Sequence, residues 1–199
     1  MDKKSKIILI AGPTASGKSN FAIKLAKKVD GEIINTDSMQ IYKEIKILNA
    51  RPKIKETKNI KHYLYGFHSV KKNFSTGDWL KKTIKLIKQI HNKNKIPILV
   101  GGTGLYFRAI INGLVKIPAI PKKYRNQIRN KHRKIGQKKF YNNLIKLDPL
   151  VISKINPNDA HRSLRAYEVK KYTKISLYEW FEKTKKNFDD NVFLKIYID

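Results

Sequence analysis

No cysteine occurs among the 199 residues, which removes disulfides and thiolate-bound metals, and the five histidines are too scattered to suggest a metal cluster. Acidic side chains are scarce: 15 Asp and Glu stand against 44 Lys and Arg, a formal net charge of +29. Long apolar runs are missing as well. The apolar stretch nearest the N-terminus, Ile7 to Ala11, is far short of the ~20 residues that cross a bilayer, and Met1-Asp2-Lys3-Lys4 leads into no signal-peptide core. These absences predict a soluble, unprocessed, cytoplasmic protein with no membrane partner. The length suits one α/β domain, or one domain carrying an insertion.

A field of this sign attracts polyanions, with nucleic acid the first candidate. The joint abundance of Lys, Ile and Asn is also what an AT-rich coding bias produces, so charge alone leaves the partner open.

Short β-branched runs alternate with helical periodicity. Ile7 to Ala11 reads as a buried parallel strand, followed by a helix from Lys18 in which Phe21, Ala22, Leu25, Ala26 and Val29 repeat at helical spacing, with Gly31 as its stop. Glu32 to Asn35 reads as a second strand and His62 to Phe67 as a third. A helix through Trp79, Leu80, Ile84, Ile87 and Ile90 has Ser75, Thr76 or Asp78 to cap it. Ile96 to Val100 is a further strand, turning through Gly101-Gly102-Thr103-Gly104 into a helix over Leu105 to Ile111. This order predicts an α/β fold: a P-loop-type, mainly parallel sheet with helices on both faces.

Prolines at 118 and 121 mark a boundary. Beyond it, Lys122 to Lys146 and Asp159 to Tyr172 read as basic helices, and Val192 to Ile198 as a strand returning to the sheet. The expected organisation is a core over 1–117, an inserted helical basic subdomain over 118–190 and a returning strand over 191–199.

Gly12-Pro13-Thr14-Ala15-Ser16-Gly17-Lys18-Ser19 satisfies the phosphate-loop pattern between a predicted strand and a predicted helix. Glycines let backbone amides turn inward, the helix N-terminus adds partial positive charge, Lys18 neutralises phosphate oxygens, and the Ser19 hydroxyl suits Mg²⁺. An NTP-hydrolysing relative would end a later strand in a carboxylate, but here that strand ends in Gly101-Gly102-Thr103. The nearest carboxylate on the same sheet edge is Asp37. Because ligands bind outside the carboxyl ends of parallel strands, the loop, Asp37 and Thr103 are expected to converge. Taken singly, Asp37 beside Ser38 is more often a helix cap than a base, and Thr103 a turn residue.

With these residues assembled, the chain resembles the tRNA dimethylallyltransferase (tRNA isopentenyltransferase) family. The likeness runs through the phosphate loop, Asp37-Ser38-Met39-Gln40-Ile41-Tyr42, Ala50-Arg51-Pro52, His62-Tyr63-Leu64 and Val100-Gly101-Gly102-Thr103-Gly104-Leu105-Tyr106. It continues through Asn158-Asp159, Arg162, Arg165-Ala166 and Glu168-Val169.

The resemblance implies transfer of a dimethylallyl group from dimethylallyl diphosphate to N6 of the adenosine 3′-adjacent to the anticodon, in tRNAs reading U-initial codons. Asp37 would be the base, Lys18 and Mg²⁺ (through Ser19) would bind the diphosphate, and Thr103 would donate to one of its oxygens. Asp37, Ser38, Met39, Gln40, Thr103, Arg125, His161, Arg162, Ser163, Leu164 and Arg165 would contact the anticodon stem-loop; without the resemblance, Arg125 and Arg162 read as solvated charge on a Lys-rich face. No protein partner is implied, and a monomer is expected.

The chain departs from the family pattern in Asn49-Ala50-Arg51-Pro52, which replaces a Thr-Ala-Lys-Pro form, at Tyr63, where a second histidine is common, and in the shortened Thr173-Lys174-Ile175-Ser176. The resemblance further implies an arginine-bearing segment after Asp199, so a partial member with feeble activity is expected. The alternatives are a P-loop small-molecule kinase, a related enzyme acting on free adenine nucleotides, and a non-catalytic tRNA-binding remnant.

Overall fold

Branched apolar side chains fill the strands of a five-stranded sheet in the computed structural model, which describes residues 6–45, 51, 52, 57 and 59–199. Residues Met1 to Lys4, Asn49 and Ala50, named above, lie outside the described residues. The strands are β1 (Ile7–Ala11), β2 (Gly31–Asn35), β3 (His62–Tyr63), β4 (Ile96–Gly101) and β5 (Phe193–Tyr197). Their order is β3-β2-β4-β1-β5 and every pairing is parallel. Ile8 lies opposite Ile98, and Ile10 opposite Val100. The mainly parallel sheet with helices is therefore what the sequence predicts.

The two-residue strand period divides the apolar residues between two faces. Ile8, Ile10, Ile33, Ile98 and Val100 form one buried cluster with Ala22, Ile23 and Ala26 of helix α1 (Lys18–Val29). Ile7, Leu9, Ile34 and Leu99 are buried on the other face. Helix α2 (Thr76–His91) packs on β2 and β4 and against α3 (Gly104–Asn112). Its N-terminus is a capping box: Ser75 Oγ accepts from the Asp78 amide while the Asp78 carboxylate accepts from Ser75.

Three local expectations change. Helix α1 is stopped by Asp30, which is left-handed (φ 54°) and donates its N–H to Ala26 O. Gly31 instead belongs to β2, where an added Cβ would come within 2.6 Å of Ile98 Cδ1. The third strand is only His62–Tyr63, because Leu64 (φ 63°) and Gly66 (φ 52°) turn the backbone out of the extended region.

Residues to Gly113 together with Lys186–Asp199 form one compact unit, and Leu114–Lys185 a second. The second unit comprises α4 (Lys122–Leu147), a 3₁₀ turn at Pro149–Val151, α5 (Ala160–Thr173) and α6 (Leu177–Glu182) around a core that includes Phe140, Leu144, Val151, Ala166 and Val169. The basic stretch predicted as one helix is two segments meeting at Gly136, whose φ of 75° and ψ of 165° break the helix. Helix α6 is too short to show a period in the sequence; its start is fixed by a second capping box, Ser176 with Glu179. No helix among the described residues is long and apolar enough to cross a membrane.

Candidate functional site

The loop after β1 turns through left-handed backbone at Ala15 (φ 67°) and Gly17 (φ 78°), and the Ser16 amide donates to Pro13 O at 3.4 Å. Gly17 is the N-cap of α1, and Lys18 and Ser19 begin its first turn. The Lys18 ammonium folds back over the loop, donating to Pro13 O and, at 3.5 Å, to Ser16 Oγ. Gly12 cannot carry a side chain: an added Cβ would fall 2.1 Å from Ile198 O.

The end of β2 is held by a single buried amide. Asn35 is fully buried; its Nδ2 donates to Asp37 O (2.9 Å) and Leu64 O (3.0 Å), and its Oδ1 accepts from the Asp37 amide (2.9 Å). Trp79 Nε1 donates to Asn35 O at 2.9 Å, and the Trp79 ring stacks on Tyr106 with centroids 4.3 Å apart. Asp37 then turns the chain, accepting from the Met39 amide at 2.8 Å.

The end of β4 meets this segment directly. Thr36 N–H donates to Val100 O (2.8 Å) and Thr103 N–H to Thr36 O (3.1 Å). At Gly101 a Cβ would lie 2.2 Å from the Thr36 carbonyl, so this crossing admits only glycine. Thr103 occupies the N-cap position of α3, yet its hydroxyl does not cap that helix. It accepts from the Ser38 amide at 2.9 Å and donates to Ser38 Oγ at 3.3 Å.

A cavity of about 410 Å³ opens between these strand ends, lined among others by Lys18, Ser19, Asp37, Gln40, Tyr65 and Gly102. Thr14, Ala15 and Gly17 also line it, whereas Gly12, Pro13, Ser16, Ser38, Met39 and Thr103 do not. Burial pulls the Lys18 ammonium below its ordinary value, with the Asp37 charge opposing. Burial, aided by Tyr42 and Asp37, pushes the Tyr106 phenol up to about 12. Tyr65 moves the same way, from burial first and Asp37 second.

In the helical unit, Arg125, His161, Leu164 and Arg165 line a cavity of about 550 Å³. Arg162 stays outside it, exposed and paired through Nε with Asp159 at 3.4 Å. Ser163 is turned inward: it is fully buried and accepts from Gln137 Nε2 at 3.1 Å, which makes it part of the α4–α5 packing rather than of any surface.

Sequence reasoning passed over Asn35, Tyr65 and the requirement for glycine at 101. A polar residue closing an apolar strand two residues before Asp37 was the available signal for Asn35.

A family model described as IPP transferase matches residues 40–199. The chain belongs to the IPP transferase family. It is 65% identical over 199 residues to a tRNA dimethylallyltransferase of Pelagibacter ubique, covering 100% of this chain and 64% of that relative. It is 47% identical over 178 residues to a tRNA dimethylallyltransferase of Rickettsia massiliae, covering 89% of this chain and 49% of the relative. Among solved structures, a eukaryotic dimethylallyltransferase acting on tRNA superimposes with a TM-score of 0.84 at 31% identity, over 98% of this chain and 48% of that one. The tRNA isopentenylpyrophosphate transferase of Bacillus halodurans gives a TM-score of 0.56 at 35% identity, over 85% and 56%. This member of the IPP transferase family thus spans about half to two thirds of the length of the relatives it matches.

Proposed function

We propose that this chain transfers a dimethylallyl group from dimethylallyl diphosphate to N6 of the adenosine 3′-adjacent to the anticodon, in tRNAs reading U-initial codons, with release of diphosphate. The observation that carries this reading is that Lys18 and Asp37, borne by different strand ends, line one cavity. An anion anchor and a carboxylate then face the same small volume. The names of the relatives support tRNA as the acceptor and dimethylallyl as the group transferred.

In this reading the diphosphate lies against the loop amides, the N-terminus of α1 and Lys18. N6 attacks the allylic carbon, the C–O bond to diphosphate breaks, and the N6 proton passes to the Asp37 carboxylate. A positioned base contributes roughly 10²–10⁴ in rate, and preorganised donors on the departing oxygens about 10²–10³ each. The Thr103 hydroxyl can swing off Ser38 Oγ to donate to a diphosphate oxygen while still accepting from the Ser38 amide, since one hydroxyl holds one donor and two acceptor sites. Ser38, Met39 and Gln40 follow Asp37 and would meet the incoming base. That base must be swung out of the anticodon stack, and the arginines and His161 of the helical unit would hold the RNA while it is out.

Among the described residues no group of three or more His, Asp or Glu could hold a metal by itself. Mg²⁺ fits as an ion held chiefly by diphosphate oxygens with the Ser19 hydroxyl, a hard-oxygen set. When bound it would neutralise charge on the leaving group.

Incubation with unmodified tRNA, Mg²⁺ and labelled dimethylallyl diphosphate tests the reading. Label in tRNA that disappears with Asp37→Asn supports it. Retention of tRNA without label identifies a binding remnant, and ATP-dependent phosphorylation of a small molecule without use of tRNA identifies a kinase.

A further inference from the structure

Two helix faces in the second unit carry charge at helical spacing. Arg125, Arg129, His132 and Arg133 follow one another at intervals of four, three and one along the first segment of α4. His161, Leu164, Arg165 and Glu168 follow one another at intervals of three, one and three along α5. All eight line the 550 Å³ cavity. Glu168 is the one carboxylate among them, and its side chain is only 4% exposed. Its Oε1 lies 3.5 Å from Arg129 Nε, an ion pair whose N–H is not aligned for a hydrogen bond, and that buried oxygen has no other polar partner. Arg125 Nε is likewise buried without a hydrogen-bond partner.

The electrostatics tie the group together. Burial raises the Glu168 carboxyl above its usual range, while Arg129, Arg165 and Arg125 all pull it down. Burial lowers the Arg165 guanidinium, with Glu168 opposing. A solitary buried carboxylate is costly, and between the two helices an apolar side chain of similar volume would be cheaper for stability alone. What a carboxylate adds is direction: it draws guanidiniums from two helices toward one point and limits their rotamers.

We propose that Glu168 is a positioning residue for RNA, its buried carboxylate holding Arg125, Arg129 and Arg165 around one cavity so that they meet RNA phosphates as a set. This rests on the reading of the chain as a tRNA-binding transferase and adds to it a residue that touches no RNA. Preorganised guanidiniums lose less rotamer freedom on binding than free ones, which converts ordering in the protein into affinity.

The sign of one substitution separates positioning from simple charge balance. Glu168→Gln raises the net charge by one. If the carboxylate merely offsets the arginines, the full chain carrying E168Q binds an anticodon stem-loop RNA more tightly and with a steeper dependence on salt. If it positions them, E168Q binds roughly ten-fold more weakly, and the log–log salt slope becomes shallower by about one for each phosphate the arginines no longer reach. In the second case the Nε–H signals of Arg125, Arg129 and Arg165, resolved by arginine-selective NMR, collapse toward free-guanidinium positions while the cooperative melt is retained. Unchanged or tighter binding with unchanged signals overturns the proposal.

Should E168Q not fold, Glu168→Asp gives the same decision, because it keeps the charge and draws the carboxylate back from Arg129. E168D is expected to weaken RNA binding several-fold at unchanged net charge; binding equal to wild type overturns the proposal. A wild-type chain with no salt-dependent RNA binding sinks the functional reading and the RNA role with it. The guanidinium signals of E168Q then still show separately whether Glu168 orders the arginines.

Discussion

Thr103 Oγ1 accepts the Ser38 amide at 2.9 Å, fastening the end of β4 to the residue that follows Asp37. The hydroxyl that could have capped α3 is spent on aiming a neighbouring strand end. Removing it with Thr103→Val is expected to cost about 1–2 kcal/mol of stability and to lower prenyl transfer roughly 10–100-fold. Thr103→Ser restores most of both. Thermal melts and single-turnover label transfer check the pair; a Val variant with full activity removes Thr103 from the site.

Asn35 is expected to matter more for the fold than any side chain lining the cavity. Asn35→Ala strips three hydrogen bonds from a fully buried position and leaves the Asp37 amide and two carbonyls to find other partners. A loss of about 2–4 kcal/mol in urea unfolding is expected. Activity should fall even where the protein remains folded, since Asp37 is then untethered.

Adjacent glycines should respond oppositely. Gly101→Ala drives a methyl to 2.2 Å from the Thr36 carbonyl and 2.7 Å from the Asp37 amide, whereas the nearest atom to a methyl at Gly102 is Gly12 O at 3.6 Å. G101A is expected to lose about 2–3 kcal/mol together with activity, and G102A to stay near wild type in stability. Chemical denaturation of the two variants makes the comparison.

Lys18 links pH to two properties with opposite signs. Its folded-state pKa lies below the ordinary 10.5 because burial disfavours the ammonium, so between the two values the unfolded chain binds more protons than the folded one. The stability cost of burying the charge is fully present below the folded pKa and is relieved as pH rises toward 10.5. Diphosphate affinity runs the other way, because the neutral amine no longer balances the anion. Calorimetric titration of diphosphate across this alkaline range should show affinity declining in the wild type and a flatter profile in Lys18→Met. An affinity that climbs with pH contradicts Lys18 as the anchor.

The strands, the glycine-rich turn between β1 and α1 and the basic helices were legible because each is written in neighbouring residues: β-branched runs, glycines at fixed offsets, apolar residues at helical spacing. The rule about parallel strand ends placed Lys18 and Asp37 on one cavity, while Thr103, expected with them, lies outside its lining with its hydroxyl on Ser38. What stayed hidden depends on partners distant in sequence. Gly31 looked like a helix stop because its true constraint, the Ile98 side chain, lies 67 residues away. Thr103 was readable as important but not as a ligand of Ser38, and Ser163 looked like part of a basic surface stretch because only the packed helices reveal that it faces Gln137. The kink at Gly136 is a backbone state that a thinly apolar, lysine-rich segment does not announce.

β5 bears on when the phosphate loop can exist. Ile198 N–H donates to Ala11 O at 2.9 Å, and its carbonyl occupies the space beside Gly12. Between β4 and that hydrogen bond the chain must first produce the whole of Leu114–Lys185. A loop encoded within the first twenty residues therefore acquires its last neighbour only when residue 198 has been made, after the whole helical unit.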